Sequence, residues 1–167
     1  MKIGRITISD RASAGIYEDR SGPEIELALR EILGGTACFE SAIVPDEVAL
    51  ISATLKKFAD ELKCDLIVTT GGTGISARDV TPEATRVVLE KELPGFGEIM
   101  RVQSFAKVKT AILSRAVAGT RGQALIINLP GKPTAVRECL AILAPAMREG
   151  MAHLREEDPH AAMSQKT

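Results

Sequence analysis

The chain of 167 residues has few aromatic side chains and almost no net charge. Aromatic residues make up 3% of it and hydrophobic residues 45%, so an aliphatic core is expected. A net charge of −1 argues against a dominant role in binding nucleic acid or a membrane surface. No apolar run approaches the ~20 residues of a membrane span, and no signal-peptide core follows Met1. We therefore expect a cytoplasmic protein that binds neither nucleic acid nor a membrane.

Cysteine and histidine are too sparse to suggest a metal site or a catalytic pair. Cys38, Cys64 and Cys139 are odd in number and widely spaced, and they fit no zinc pattern. We expect all three to be buried, reduced thiols. Both histidines, His153 and His160, are assigned to a polar tail, which gives no support to histidine-based catalysis.

Strand-like and helix-like segments alternate along the chain, which is typical of an α/β domain. Strands are predicted at 3–9, 38–44 and 65–70, followed by a strand pair at 116–120 and 123–128. Helices are predicted at 21–33, 46–62, 81–91, 99–106 and from 133 onward, with a break at 92–98 and an ambiguous stretch at 110–115. We expect a single domain over residues 1–154 and a polar tail over 155–167.

The most informative stretch is the glycine-rich loop between the strand ending at Thr70 and the helix beginning near Thr81. Its glycines allow tight turns and leave backbone N–H groups accessible, and threonine hydroxyls accompany them, which suits a phosphate or another anion. The residues concerned are Thr70, Gly71, Gly72, Thr73 and Gly74. Arg78 and Asp79 add a cation and a carboxylate, whereas helix capping is assigned to Thr81. A plain strand-to-helix turn, with Asp79 bonding its own backbone, stays an alternative.

Two common phosphate-binding motifs fit this loop poorly. No glycine is followed by the Lys-Ser/Thr pair that a P-loop requires. Gly72 to Ala77 matches a relaxed dinucleotide fingerprint, but the helix starts too late and the acid about 20 residues on lies in a helix or turn. A dinucleotide-dependent oxidoreductase is therefore a weak alternative.

Three further loops follow strand ends and carry polar side chains: Ser9 and Asp10, then Asp46, then Pro130, Gly131 and Lys132. A solvated turn, a helix N-cap at Asp46 and a simple turn are the respective structural alternatives. In an open parallel sheet these ends line one edge, where ligands bind. Asp46 and Asp79 could there share a metal ion that carries a polyphosphate. The residues thus predict an α/β domain that binds a phosphorylated ligand with a divalent cation.

The ordered set of motifs resembles the molybdopterin adenylyltransferases, which are similar to the G domains of molybdenum-cofactor proteins such as gephyrin. The motifs span 3–143 and include Ser9-Asp10-Arg11-Ala12-Ser13, Pro45-Asp46-Glu47, Thr69-Thr70-Gly71-Gly72-Thr73-Gly74, Arg78-Asp79-Val80-Thr81-Pro82-Glu83, Pro94-Gly95-Phe96-Gly97-Glu98 and Asn128-Leu129-Pro130-Gly131. Ala111-Ile112-Leu113-Ser114-Arg115 and Glu138-Cys139-Leu140 also resemble the adenylyltransferase branch.

This resemblance implies a three-layer αβα sandwich with a mostly parallel central sheet, assembled as a homotrimer. It implies Mg²⁺-dependent transfer of AMP from ATP to the terminal phosphate of molybdopterin, with release of pyrophosphate. By position, Asp46 and Asp79 match the family's catalytic, metal-facing acids. Gly71–Gly74 with Thr70 and Arg78 match the phosphate cradle, and Ser9, Asp10 and Pro130–Lys132 match the pocket rim.

Lys132 stands where many relatives carry a serine, so the contacts of that loop can differ here. The alternative function is a non-catalytic protein that binds and delivers molybdopterin. The presence of two carboxylates favours the enzyme, because binding an anionic phosphate gains nothing from two nearby acids. Other proteins of the molybdenum-cofactor pathway are the expected partners.

Overall fold

Six strands form the central sheet of the fold, which a computed structural model describes for residues 1–156. They are β1 (Lys2–Ile8), β2 (Cys38–Val44), β3 (Leu66–Thr70), β4 (Lys91–Glu92), β5 (Ala118–Arg121) and β6 (Ala124–Leu129). Their order across the sheet is β2-β1-β3-β6-β5-β4. The first four strands in that order run parallel, while β5 is antiparallel to both β6 and β4. The predicted mostly parallel sheet is therefore confirmed.

Helices cover both faces of this sheet. They are α1 (Asp10–Ser13), α2 (Ser21–Leu33), α3 (Val48–Lys56), α4 (Thr81–Arg86), α5 (Pro94–Lys107) and α6 (Pro133–Leu154), with a π-helical turn at Lys57–Glu61 and a 3-10 turn at Lys109–Leu113. One core cluster joins α2, α5 and α6 to the sheet, and a second joins α3 and α4 to its other face. The fold is thus the three-layer sandwich expected from the resemblance.

The central strands are buried on both faces, which explains their continuous apolar sequences. Every residue of β3 and β6 is buried. The largest side chains that are fully buried are all isoleucine or leucine, as the scarcity of aromatic residues required. Within residues 1–156, no helix has both the length and the apolar composition to span a membrane.

Two helix boundaries differ from the sequence-based prediction because contacts in the sheet override local propensity. The helix predicted to reach Lys91 ends at Arg86, since the chain then pairs with β5: the N–H of Glu90 donates to the carbonyl of Thr120 at 2.8 Å. The predicted break at 92–98 is also wrong, because Pro94 begins α5. Proline is well tolerated at the first helical position, where its missing N–H has no intrahelical partner in any case.

Two other expectations need correction. Cys38 is exposed at the start of edge strand β2, whereas Cys64 and Cys139 are buried as predicted. His153 belongs to α6 and lies 3.3 Å from Glu149, so it is not part of a tail. His160 and the rest of 157–167 lie outside the described residues.

The strand register brings the predicted site loops together. Ile8 of β1 pairs with Val44 of β2, Thr7 of β1 pairs with Thr70 of β3, and Thr70 pairs with Leu129 of β6. The carboxyl ends of four parallel strands therefore lie side by side, and the loops that follow them share one edge of the sheet.

Candidate active site

The glycine loop, residues 71–79, is the centre of this edge, and its backbone requires glycine at two positions. Gly71 has φ +99° and Gly72 has φ +61°, values that side chains rarely allow. A Cβ at Gly71 would collide with the carbonyl oxygen of Ile8, and one at Gly72 with the hydroxyl of Thr81. The loop is therefore pressed against the ends of β1 and α4.

The same loop presents a row of unpaired backbone donors. Within residues 1–156, the N–H groups of Gly72, Thr73, Gly74 and Ile75 donate to no other group. The N–H groups of Gly131 and Lys132, just before α6, are also without an acceptor there. Consecutive free N–H groups near a helix N-terminus form an anion-binding surface. The predicted phosphate cradle thus has the donors that it needs.

Asp46 is tied to the first loop and does not cap a helix. Its Oδ2 accepts a hydrogen bond from the N–H of Asp10 at 2.9 Å, and its own N–H donates to Oδ1 of Asp10 at 3.0 Å. The N-cap position of α3 belongs to Glu47, and no side chain caps that helix. The capping alternative for Asp46 is therefore wrong.

The pKa of Asp46 lies above its ordinary value. Burial of the carboxyl is the main cause, and the negative charges of Asp10 and Asp79 add to it. The fold thus places three carboxylates close together at a position where burial already disfavours the charged form of one. An arrangement of this kind is typical of a functional site.

Arg78 pairs with Asp10 across the edge, between two different loops. Its Nε donates to Oδ2 of Asp10 at 2.9 Å and its Nη2 to Oδ1 at 2.8 Å. This fork holds the pKa of Asp10 below its ordinary range, because the guanidinium hydrogen bonds favour the charged carboxylate. Both side chains are exposed, so Arg78 is within reach of a ligand at this edge.

Asp79 hydrogen-bonds the backbone of its own loop, as the alternative of a plain strand-to-helix turn predicted. Its Oδ2 accepts from the N–H of Ser76 at 2.8 Å, and its N–H donates to the carbonyl of Ser76 at 3.0 Å. A Cβ at Gly74 would lie 2.8 Å from Oδ2 of Asp79, and one at Gly72 would lie 2.9 Å from Oδ1 of Asp46. Both carboxylates therefore lie directly against glycines of the loop.

Magnesium, the ion that the resemblance implies, fits these two carboxylates. Oδ1 of Asp46 and Oδ1 of Asp79 accept no hydrogen bond from residues 1–156, so each keeps one oxygen available. No cluster of three or more histidine, cysteine or acidic side chains that could hold a metal occurs in that part of the chain. Mg²⁺ commonly takes one or two carboxylates, waters and substrate phosphates, so two acids beside a phosphate cradle suffice.

Two of the predicted binding residues, and one residue predicted to cap a helix, serve mainly to build the edge. The Thr70 side chain is fully buried, and its hydroxyl donates to the carbonyl of Pro130 at 2.7 Å. Ser9 caps α1, since its Oγ accepts from the N–H of Ala12 at 3.2 Å. Thr81 caps no helix, contrary to prediction, and donates its hydroxyl to the carbonyl of Gly71 at 2.9 Å.

Arg115 is a residue of this edge that the sequence reasoning missed. Its backbone N–H donates to the carbonyl of Thr73 at 2.8 Å, and its Nε donates to the carbonyl of Gly74 at 2.6 Å. Its Nη2 donates to the carbonyl of Asp79 at 2.5 Å, and its Nη1 to Glu83 of α4. The only signal in the sequence was its place in one of the motifs that carry the resemblance.

A cavity of about 390 Å³ adjoins the glycine loop. Its walls come from the loop itself, from α5, from the turn after α5 and from the start of α6. Apolar walls there include Ile75, Met100, Val108 and Leu113, and polar groups include Ser104, Ser114, Lys132 and Glu138. Lys132 forms no ion pair within residues 1–156, so its ammonium is available to a ligand. The cavity is large enough for one heterocyclic group.

Comparisons with known proteins identify the family of this chain. A family model for the probable molybdopterin binding domain matches residues 4–149. The molybdopterin adenylyltransferase of Helicobacter pylori strain J99 is 56% identical over 145 residues, covering 87% of this chain and 82% of the relative. That of Escherichia coli K12 is 50% identical over 140 residues, covering 84% and 72%.

Solved structures give the same result. The molybdopterin biosynthesis enzyme MoaB from Thermus thermophilus superimposes with a TM-score of 0.82 at 40% identity, covering 93% of this chain and 97% of that one. The molybdopterin biosynthesis Mog protein from Mycobacterium ulcerans gives 0.84 at 39% identity, with 92% and 98% covered. The resemblance predicted from the motifs is thereby confirmed, and the chain belongs to the molybdopterin-binding family that includes these adenylyltransferases.

Proposed function

We propose that this protein is a molybdopterin adenylyltransferase, which transfers AMP from ATP to the terminal phosphate of molybdopterin. The observation that carries the proposal is the row of free N–H groups at Gly72–Ile75, with Asp46 and Asp79 against it. Phosphate groups fit the donors, and a metal ion fits the carboxylates. The names of relatives at 50% to 57% identity support the same reaction.

In this reaction an oxygen of the molybdopterin phosphate attacks the α-phosphorus of ATP. A new P–O bond forms there, the bond between the α-phosphorus and the bridging oxygen to the β-phosphorus breaks, and pyrophosphate leaves. The protein provides positioning and charge stabilisation, as is usual for such transfers. No protein nucleophile is required, which agrees with buried thiols at Cys64 and Cys139 and with a pKa of about 11 for Cys64, raised by burial.

Each part of the site has a separate role in this proposal. The free N–H groups of the glycine loop hold the phosphates of both substrates, and Arg78 balances their charge. Asp46 and Asp79 would hold Mg²⁺, which when bound neutralises charge on the polyphosphate. Lys132 stands where many relatives carry a serine, and it offers its ammonium to the substrates.

We assign the cavity beside the loop to the pterin ring system. Its apolar walls suit a flat heterocycle, and Ser104, Ser114 and Glu138 offer hydrogen-bonding partners to the polar edge of a pterin. Gly74 and Gly131, whose N–H groups have no acceptor within residues 1–156, are among the residues that line the cavity. A ligand in this cavity can therefore extend its phosphate into the cradle.

The homotrimer, the pathway partners and the cytoplasmic location stay predictions that rest on the family resemblance and on the sequence. The direct test of the function is incubation of the pure protein with molybdopterin, ATP and Mg²⁺. We expect adenylyl-molybdopterin and pyrophosphate by mass spectrometry, and no product with an ATP analogue whose α,β-bridging oxygen is a methylene. Tight binding of molybdopterin without any product would instead support the alternative delivery protein.

A further inference from the structure

We propose that Arg115 is a positioning residue, which fixes the glycine loop and thereby the carboxylate of Asp79. This inference rests on the proposed function, and it assigns a role to a side chain outside the predicted site. Arg115 contacts the loop near its middle, through the carbonyl of Gly74, and at its end, through the carbonyl of Asp79. One planar guanidinium therefore spans the segment that carries the acid.

Little else holds this part of the loop in place. Residues 75–78 are exposed, and within residues 1–156 their side-chain hydrogen bonds to residues outside the loop are those of Arg78 with Asp10, which lie at the surface. Within residues 1–156, the Asp79 carboxylate accepts a hydrogen bond only from the N–H of Ser76, inside the loop. Without Arg115, the position of Asp79 relative to Asp46 would be set by a short, glycine-containing segment that solvent can reach. Misplacement by about 1 Å can lower an enzymatic rate about 100-fold.

Arg115 is itself held firmly, which a positioning role requires. Its backbone N–H donates to Thr73, and Glu83 of α4 accepts from its guanidinium. Arg101 of α5 donates to the carbonyls of the two flanking residues, Ser114 at 3.3 Å and Ala116 at 3.4 Å. The segment 114–116 is thus anchored to α5 on one side and to the loop on the other.

The same segment borders the cavity. Ser114 lines the cavity, while the next residue, Arg115, holds the carbonyl of Asp79. The residue that lines the cavity and the residue that holds the carbonyl of Asp79 are therefore neighbours in the chain. Arg115 sets the distance between the two halves of the site.

The test uses Arg115→Lys, which keeps the positive charge but replaces the planar fork of five N–H donors by a single ammonium, which cannot span the same separated acceptors. We expect kcat to fall by about 10- to 100-fold, while KM for ATP and for molybdopterin changes by less than about threefold. We also expect Mn²⁺ bound with the methylene ATP analogue to be held at least about fivefold more weakly, measured by electron paramagnetic resonance. Amide hydrogen exchange at Ser76 and Asp79 should become faster, while exchange in β3 and β6 stays unchanged.

Arg121→Lys is the matched control. Arg121 also makes a fork to a carboxylate, with Nε–Oδ1 2.9 Å and Nη2–Oδ2 2.7 Å to Asp60, and donates to the carbonyl of Val88 at 3.1 Å. It lies at the opposite edge of the sheet, beside the turn between β5 and β6. We expect Arg121→Lys to leave kcat, Mn²⁺ affinity and exchange at Ser76 and Asp79 unchanged. If Arg115→Lys does not fold, Glu83→Gln serves instead, because it weakens the hydrogen bond between Glu83 and the guanidinium. We expect it to change kcat, Mn²⁺ affinity and amide exchange in the same direction as Arg115→Lys, but by less.

Three results would overturn the inference. One is wild-type kcat and wild-type exchange at Ser76 and Asp79 in Arg115→Lys. Another is a rise in both KM values at unchanged kcat, which indicates direct contact with substrate. The third is an equal loss of kcat in Arg121→Lys. If the wild-type protein transfers no AMP, the proposed function fails, whereas Mn²⁺ binding and hydrogen exchange still decide the role of Arg115.

Discussion

Replacing Asp46 by asparagine should abolish adenylyl transfer without lowering the stability of the fold. Asparagine keeps the side-chain oxygen that accepts from the N–H of Asp10, a bond of 2.9 Å in the structure. It removes the charge that faces the proposed metal ion. Loss of that charge forfeits about 3 kcal/mol of transition-state stabilisation, which corresponds to a rate at least about 100-fold lower.

The expected effect on stability follows from the direction of the pKa shift. Burial raises the pKa of Asp46 in the folded protein above its unfolded value, so the fold binds the proton more tightly than the unfolded chain does. The charged carboxylate therefore lowers the free energy of unfolding at neutral pH. This loss of stability disappears as the pH falls through the pKa of Asp46 in the folded protein and then below its pKa in the unfolded chain. At pH 7 Asp46→Asn should be between 0 and about 1 kcal/mol more stable than the wild type, and the difference should vanish in acid.

Urea denaturation at several pH values and the mass-spectrometric transfer assay measure both effects on the same preparation. Asp19→Asn provides the contrast, because Asp19 is a buried carboxylate with a structural partner, 3.0 Å from Arg5, and an acceptor for Thr7. We expect it to cost about 3 kcal/mol of stability while turnover is retained. A loss of more than about 1.5 kcal/mol in Asp46→Asn at pH 7 would show that its charge stabilises the fold and would refute this reasoning.

Three further predictions concern the loop and the assembly. Asp79→Asn should fold with a stability within about 1 kcal/mol of the wild type, since asparagine can still accept a hydrogen bond from Ser76. It should lose adenylyl transfer and largely keep pterin binding, and wild-type turnover would contradict the assigned role. Gly72→Val should lower the affinity for ATP and molybdopterin together and cost about 1–2 kcal/mol or more of stability, because φ is +61° there. A folded Gly72→Val that binds both ligands normally, by titration, would move the phosphates elsewhere, and the Lys132 loop would be the next place to look. Light scattering at micromolar concentration should report a trimer, and a monomer would contradict that prediction.

The order of elements followed from local patterns that need no tertiary information. Alternating apolar runs and amphipathic segments gave the strands β1, β2, β3, β5 and β6 and the helices α2, α3 and α6 close to their observed positions. Those segments bury one face or both, so the spacing of their apolar residues indicates whether each is a helix or a strand. Where a segment was short or paired far along the chain, as β4 does with β5, local propensity pointed to a helix instead.

The candidate site was only partly visible in the sequence. Asp46, Asp79 and the glycine loop stood out because each follows a predicted strand. The role of Thr81 was misread, since its hydroxyl serves the carbonyl of Gly71 and caps nothing. Exposure of Cys38 was also missed, because an edge strand cannot be told from a central one before the strand order is known.

By itself the sequence determined the α/β class, the glycine loop, the two acids and, through the ordered motifs, the family. The tertiary structure decided which polar groups of these loops are free and which are already used. Among the residues that the structure describes, the N–H groups of Gly72–Ile75 have no acceptor, the hydroxyl of Thr70 donates to Pro130, and Arg115 reaches the loop from 36 residues beyond Asp79. Such contacts depend on strand order and register, which bring together segments that are far apart in the chain. A local pattern of residues does not indicate which distant segments will meet.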